Sequence, residues 1–125
     1  MDTDYIIITN NPFVASEYGE DHLVDYQEES FISLLQRVQR FVYEGHELLS
    51  HPLSGSVKPK ETLYKSVLIA KKVAGLDLSS LKLIDSSIET CEKFHYKEET
   101  NEKNLEDMRF VDYTLISSAI ASADV

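Results

Sequence analysis

Tyr5-Ile6-Ile7-Ile8 is an unbroken apolar run, β-branched after its first residue, that stops abruptly at Thr9-Asn10-Asn11-Pro12. A run this short, without polar alternation and closed by turn residues, predicts a strand buried on both faces. Such strands belong to sheets covered by helices on each side, and the first strand therefore points to an α/β fold with a parallel sheet. Asn11 is suited to cap a short helix with Pro12 at its first position, where a missing N–H costs nothing. That helix should reach about Tyr18 and stop at Gly19.

The rest of the chain alternates in the same way. His22 to Gln27 predicts a second, weaker strand around Leu23, Val24 and Tyr26. From Ser30, the spacing of Phe31, Leu34, Leu35, Val38, Phe41 and Val42 predicts a helix to about 44, with Gln36, Arg37, Gln39 and Arg40 on its polar face and Gly45 as its stop. Strands are expected over 46–50 and 65–70. A helix over 78–95 is capped by Asp77 and carries Leu81, Ile84, Ile88, Cys91 and His95 on one face; a last helix over 104–121 carries Leu105, Met108, Val111, Leu115, Ala119 and Ile120. Residues 97–103 form a charged connector. The expectation is one domain over residues 1–125, three-layered, with a mostly parallel sheet of about four strands flanked by helices.

At 125 residues the chain can bury a core without a metal or disulfide staple, and its single cysteine excludes an intrachain disulfide framework. The first residues lack a signal-peptide pattern, and no apolar run approaches the length of a membrane span, so a cytoplasmic location off the membrane is expected. The formal charge of -10 is uneven: residues 1–35 hold eight acids and no Lys or Arg, whereas 36–72 hold seven bases against three acids. An acidic body disfavours nucleic acid, which requires several phosphates to be neutralised together. A small anion held at one basic spot remains compatible.

The segment from Glu47 to Val67 contains two of the three prolines, a histidine and three lysines among many hydroxyls. A long polar loop contributes little core, and such loops often carry function. In an open parallel sheet, ligands bind outside the carboxyl ends of the strands, so the loops after the first and third strands should share an edge. Asn10, Asn11, His51, Ser54, Gly55, Ser56, Lys58 and Lys65 are the candidate ligand residues: helix-start N–H groups and Gly55 for close backbone approach, Ser54 and Ser56 as donors, Lys58 and Lys65 as charge. His51 is the best candidate acid or base, although a histidine before proline is more often a turn or packing residue. The competing reading is a structured loop whose Ser and Asn side chains satisfy their own backbone. Neither standard nucleotide fingerprint is present, nor a serine-hydrolase elbow, and the four histidines with Cys91 show no zinc spacing; no metal or cofactor is expected.

Ile8-Thr9-Asn10-Asn11-Pro12, the stretch from His51-Pro52-Leu53-Ser54-Gly55-Ser56 through Thr62, Tyr64-Lys65-Ser66-Val67, and Ser87-Ile88-Glu89-Thr90 resemble the GrdX family. Leu63 stands where that family commonly has a proline before the tyrosine, a change that loosens a turn and removes no polar group. The resemblance implies association with the glycine reductase system of amino-acid-fermenting anaerobes, whose components are possible partners, and it carries over no catalytic residue. Without a Cys-x-x-Cys or a second thiol, the chain is not expected to be a redox carrier itself. Two functions follow as expectations: an accessory or regulatory protein acting by protein interaction, or a binder of, or enzyme on, a small anion such as phosphate, an acyl-phosphate or an amino acid, using the loop from His51 to Lys65. Sequence leaves the oligomeric state and any activity open.

Overall fold

Strand β1 (Tyr5–Thr9) lies inside the sheet, as its apolar run requires, with a strand on each edge and a core cluster against each face. The protein is seen here as a computed structural model that describes residues 4–53, 62–93 and 100–125. After β1 come α1 (Pro12–Tyr18), β2 (Val24–Tyr26), α2 (Phe31–Tyr43), β3 (His46–Leu48), β4 (Ser66–Val73), α3 (Leu78–Glu92) and α4 (Glu102–Ala123). The caps are those the sequence offers: Asn11 accepts the N–H of Phe13, Ser30 that of Ser33, and Asp77 that of Ser80. Asn101, rather than a residue near 104, caps α4. Among the described residues no helix is long and apolar enough to cross a membrane.

The sheet order is β2-β1-β4-β3, and the sheet is mixed. β1 and β2 are parallel and joined through α1, but β4 runs antiparallel to both β1 and β3. The expected mostly parallel sheet is thus corrected. The reason lies in the connections: a parallel neighbour needs a crossover of about a dozen residues or more, usually helical, whereas the described parts of the β3–β4 connection carry no helix.

Alternation along β1 and β4 divides the core. Ile8, Val67 and Ile69 meet α2 and α3 through Leu34, Leu35, Val38, Ile84 and Ile88; Tyr5, Ile7 and Leu68 meet α1 and α4 through Val14, Ile116 and Ile120. Each fully buried branched side chain contributes about 1.5–3 kcal/mol, so these two clusters are the main stabilising term. Cys91, which is in no disulfide, is buried inside the first cluster, as expected of a small apolar side chain. On α4 the buried positions are Asp112, Ile116 and Ile120, while Leu105, Met108, Val111 and Leu115 are half-buried; the inward face is rotated from the one the apolar spacing predicts. His95 lies outside the described residues.

Gly45 follows α2 with φ +108°, and a Cβ there would sit 2.9 Å from Val73 Cγ1 and 3.1 Å from the Gly75 nitrogen. Gly75 has φ +89° but open space around its missing side chain. Gly45→Ala is therefore expected to cost about 2–3 kcal/mol in urea unfolding and Gly75→Ala about 1 kcal/mol, the difference being the crowding against β4. Equal losses would show that Val73 and the turn yield without cost.

Candidate functional site

The register of β1 with β4 pairs Thr9 with Ser66, which brings the loop after β1 against the residues that enter β4. Asn10 fastens this edge. Its Nδ2 donates to the carbonyls of Glu29 at 3.1 Å and Leu63 at 2.9 Å, and its Oδ1 accepts the Lys65 N–H at 2.8 Å. Asn11 ties the same edge to α4: its Nδ2 donates to the Arg109 carbonyl and to Asp112 Oδ2, while its Oδ1 caps α1.

Asp112 gathers these bonds below the surface, with a relative exposure of 3 %. Its Oδ1 accepts the Ser66 N–H at 2.9 Å, and its Oδ2 accepts the Ser66 hydroxyl at 2.7 Å and Asn11 Nδ2 at 3.0 Å. Since the single hydroxyl proton of Ser66 goes to Asp112, the Thr9 hydroxyl donates to Ser66 at 2.7 Å and itself accepts the Asn11 N–H at 2.9 Å. Burial pushes the Asp112 carboxyl above its ordinary value, against the pull of its donors and of the Lys65 ammonium. Lys65 is buried as well, which lowers its ammonium while the Asp112 charge opposes the shift.

A second buried charge supports β2. Arg37, which the helical pattern assigns to the polar face of α2, is only 7 % exposed. Its Nε donates to Glu29 Oε2 at 2.7 Å, one terminal nitrogen to Asp25 Oδ1 at 2.7 Å and the Asp25 carbonyl, and the other to the Thr9 carbonyl at 3.0 Å. The planar fork of an arginine can meet this many acceptors at once; a lysine could not. At the outer rim, Arg109 lies over the Tyr64 ring, 5.6 Å from its centre, donates to the Tyr64 hydroxyl and pairs with Glu102.

A cleft of about 340 Å³ opens at this edge. Pro12 and Phe31 line it from the starts of α1 and α2, Tyr26, Glu28 and Glu29 from β2 and the turn that follows, and Leu63 and Tyr64 from the approach to β4. Asn10 also lines it, but with its amide already committed to the protein.

The structure therefore brings Asn10, Asn11 and Lys65 together and turns their polar groups inward. His51 is exposed, and its Nδ1 accepts the Leu53 N–H at 3.0 Å within its own turn. Ser54, Gly55, Ser56 and Lys58 lie outside the described residues. Among the described residues no group of three or more His, Cys, Asp or Glu is placed to hold a metal ion. The residues that sequence reasoning missed are Arg37, Ser66, Asp112 and the ring-bearing wall of Tyr26 and Tyr64. Ser66 falls in the Tyr64-Lys65-Ser66 run that carries part of the family resemblance, and a lone acid among apolar positions of α4 is the sign of Asp112 in the sequence.

A family model described as GrdX-like protein matches residues 6–121 of the chain. No curated protein and no solved structure matches it.

Asp112→Ala leaves the Ser66 N–H, the Ser66 hydroxyl and an Asn11 amide proton without their acceptor, and is expected to cost about 3 kcal/mol or more in urea unfolding. The pH dependence has a definite sign. A carboxyl whose folded value is raised binds its proton more tightly when folded, so the stability it contributes is complete below its ordinary value of 3.8 and lost as pH rises through the folded value. Relative to Asp112→Asn, the wild type should therefore lose stability as pH climbs above about 4. Lys65 acts at the alkaline end: with its value lowered from 10.5, its contribution is present above that pH and lost as pH falls through the folded value. A wild-type and Asp112→Asn pair with parallel stability–pH curves would contradict the assignment.

Proposed function

This chain belongs to the GrdX-like protein family, and from that membership we propose that it serves the glycine reductase system as an accessory protein acting by binding. The observation that carries the reading is the direction of the polar side chains at the sheet edge. Asn10, Asn11, Arg37, Ser66 and Asp112 are spent on holding loops and helices together. What faces outward there is a cleft of rings, an apolar wall and carboxylates, a surface suited to holding a partner group more than to moving protons between paired catalytic side chains. The strongly acidic composition adds long-range selectivity for partners of opposite charge.

The alternative is a small-anion protein using the segment from His51 to Lys65, with Asn10 and Asn11 at its rim. It draws on the position of Lys65 beside Asn10, but the Lys65 N–H is already bonded to that side chain and its ammonium is buried near Asp112.

Titration calorimetry against each purified component of glycine reductase separates the two, together with thermal shift in phosphate, acetyl phosphate and glycine. The accessory reading expects one component to bind with a Kd of about 10 μM or tighter. It also expects none of the small molecules to raise the melting temperature. No binding to any component, with acetyl phosphate or phosphate stabilising the wild type but not Lys65→Met, would replace it with the alternative.

A further inference from the structure

The cleft stands where helix starts converge, yet its charge is of the opposite kind from the one such a place usually favours. α1 begins beside it at Pro12 and α2 at Phe31, and a helix start carries the equivalent of about half a positive unit. Against that, Glu28 is exposed, carries a full negative unit and has no hydrogen bond or ion pair among the described residues. Glu29 and Asp25 share the buried guanidinium of Arg37, and the exposed Arg40 lines the neighbouring hollow with them. Among the described residues, Arg109 at the rim pairs with Glu102, and the Lys65 ammonium is buried, with the Asp112 charge acting on it. The side chains that line the cleft thus include two carboxylates, Glu28 and Glu29, and no Lys or Arg, and of the two only Glu29 is held by Arg37.

The walls add the other half of the chemistry. Tyr26 brings a ring and a hydroxyl that has no partner among the described residues, while Tyr64 adds a second ring whose hydroxyl and one face are taken by Arg109. Tyr26, Glu28 and Tyr64 line the cleft together, and burial, then the Glu28 charge and Tyr64, push the Tyr26 phenol upward. Phe31, Pro12 and Leu63 supply the apolar surface. Acids at 28 and 29 complement the start of α2, and that alone would explain their presence; it does not explain an open cleft between a carboxylate and two tyrosines. A carboxylate beside aromatic faces recognises an organic cation, since ring faces attract positive charge and the apolar wall takes the carbon body. The volume, about 340 Å³, is that of a small-ligand site. We propose that this cleft is a binding site for an alkylammonium group. The inference names the chemical group for the same cleft on which the accessory reading rests, and the titration below uses no reductase component, so the two can fail separately.

The test is a titration of the labelled full chain followed by amide chemical shifts at constant ionic strength. The probes are tetramethylammonium, n-butylammonium and Nα-acetyl-lysine N-methylamide, with acetate and tert-butanol as controls. Saturable shifts confined to Tyr26–Ile32 and Leu63–Lys65 are expected with the cations and absent with both controls. Glu28→Gln and Tyr26→Leu should each weaken binding at least about five-fold while unfolding midpoints stay close to the wild type, because both side chains are exposed. Tighter binding of the lysine derivative than of butylammonium assigns the group to a side chain of another polypeptide; the reverse assigns it to a free amine, and either order supports the site. Cations that produce no saturable shift, acetate that saturates the same amides, or variants that bind as the wild type does would overturn it.

Discussion

The antiparallel pairing of β1 with β4 is the constraint from which the rest of the molecule follows. Tyr5 faces Ala70, and each step along the ladder to Thr9 and Ser66 keeps that register. Side chains alternate between the two faces of a sheet, so a slip of one residue would carry Ile7 and Leu68 away from α1 and α4 and expose the face those helices cover. The same register decides the chemistry at the edge. It sets the Thr9 hydroxyl against that of Ser66 and the Asn10 amide against the Lys65 backbone, and it hands the Ser66 N–H to a carboxylate that arrives from the last helix.

Apolar packing alone would leave α4 free to rotate, because its apolar residues are spread around much of its circumference. Asp112 removes that freedom. A carboxylate taken out of water must find donors, and the donors at Ser66 and Asn11 exist in one place only, so the helix seats where its acid is satisfied. Arg37 does for β2 what Asp112 does for α4: a three-residue strand has few ladder bonds, and the guanidinium holds it by joining Asp25, Glu29 and the Thr9 carbonyl. Both charges fix geometry at the cost of desolvation, and breaking either arrangement strands buried polar atoms.

Much of this was legible in the sequence. The run from Tyr5 to Ile8, the Asn11-Pro12 start, the spacing of Leu34, Leu35, Val38 and Val42, and Gly45 after α2 each act locally, and local preferences survive folding when packing agrees with them. The direction of β4 was not read correctly, although a clue was present: a polar segment without a helical pattern separates β3 from β4, and parallel neighbours are usually joined by a crossover helix. Arg37 and Asp112 were missed for a common reason. Periodicity assigns charged residues to the wet face by default, and a buried charge is visible only once its partners, distant in sequence, have been brought to it.

The same reasoning revises the meaning of the basic middle segment. Counted along the chain, residues 36–72 promise a positive patch beside the loops. In space, Arg37 is turned inward to Asp25 and Glu29, Lys65 is buried near Asp112, and Lys71 and Lys72 are carried to the far end of β4, which runs away from the edge. The acids at 28 and 29 come from the basic-free first third of the chain and stand at the cleft because β2 ends there. A window of sequence gives the sign of a segment; the antiparallel direction of β4 decides which end of the sheet receives it. Among the described residues, that reversal carries Lys71 and Lys72 away from the cleft, whose lining holds rings and carboxylates and no Lys or Arg.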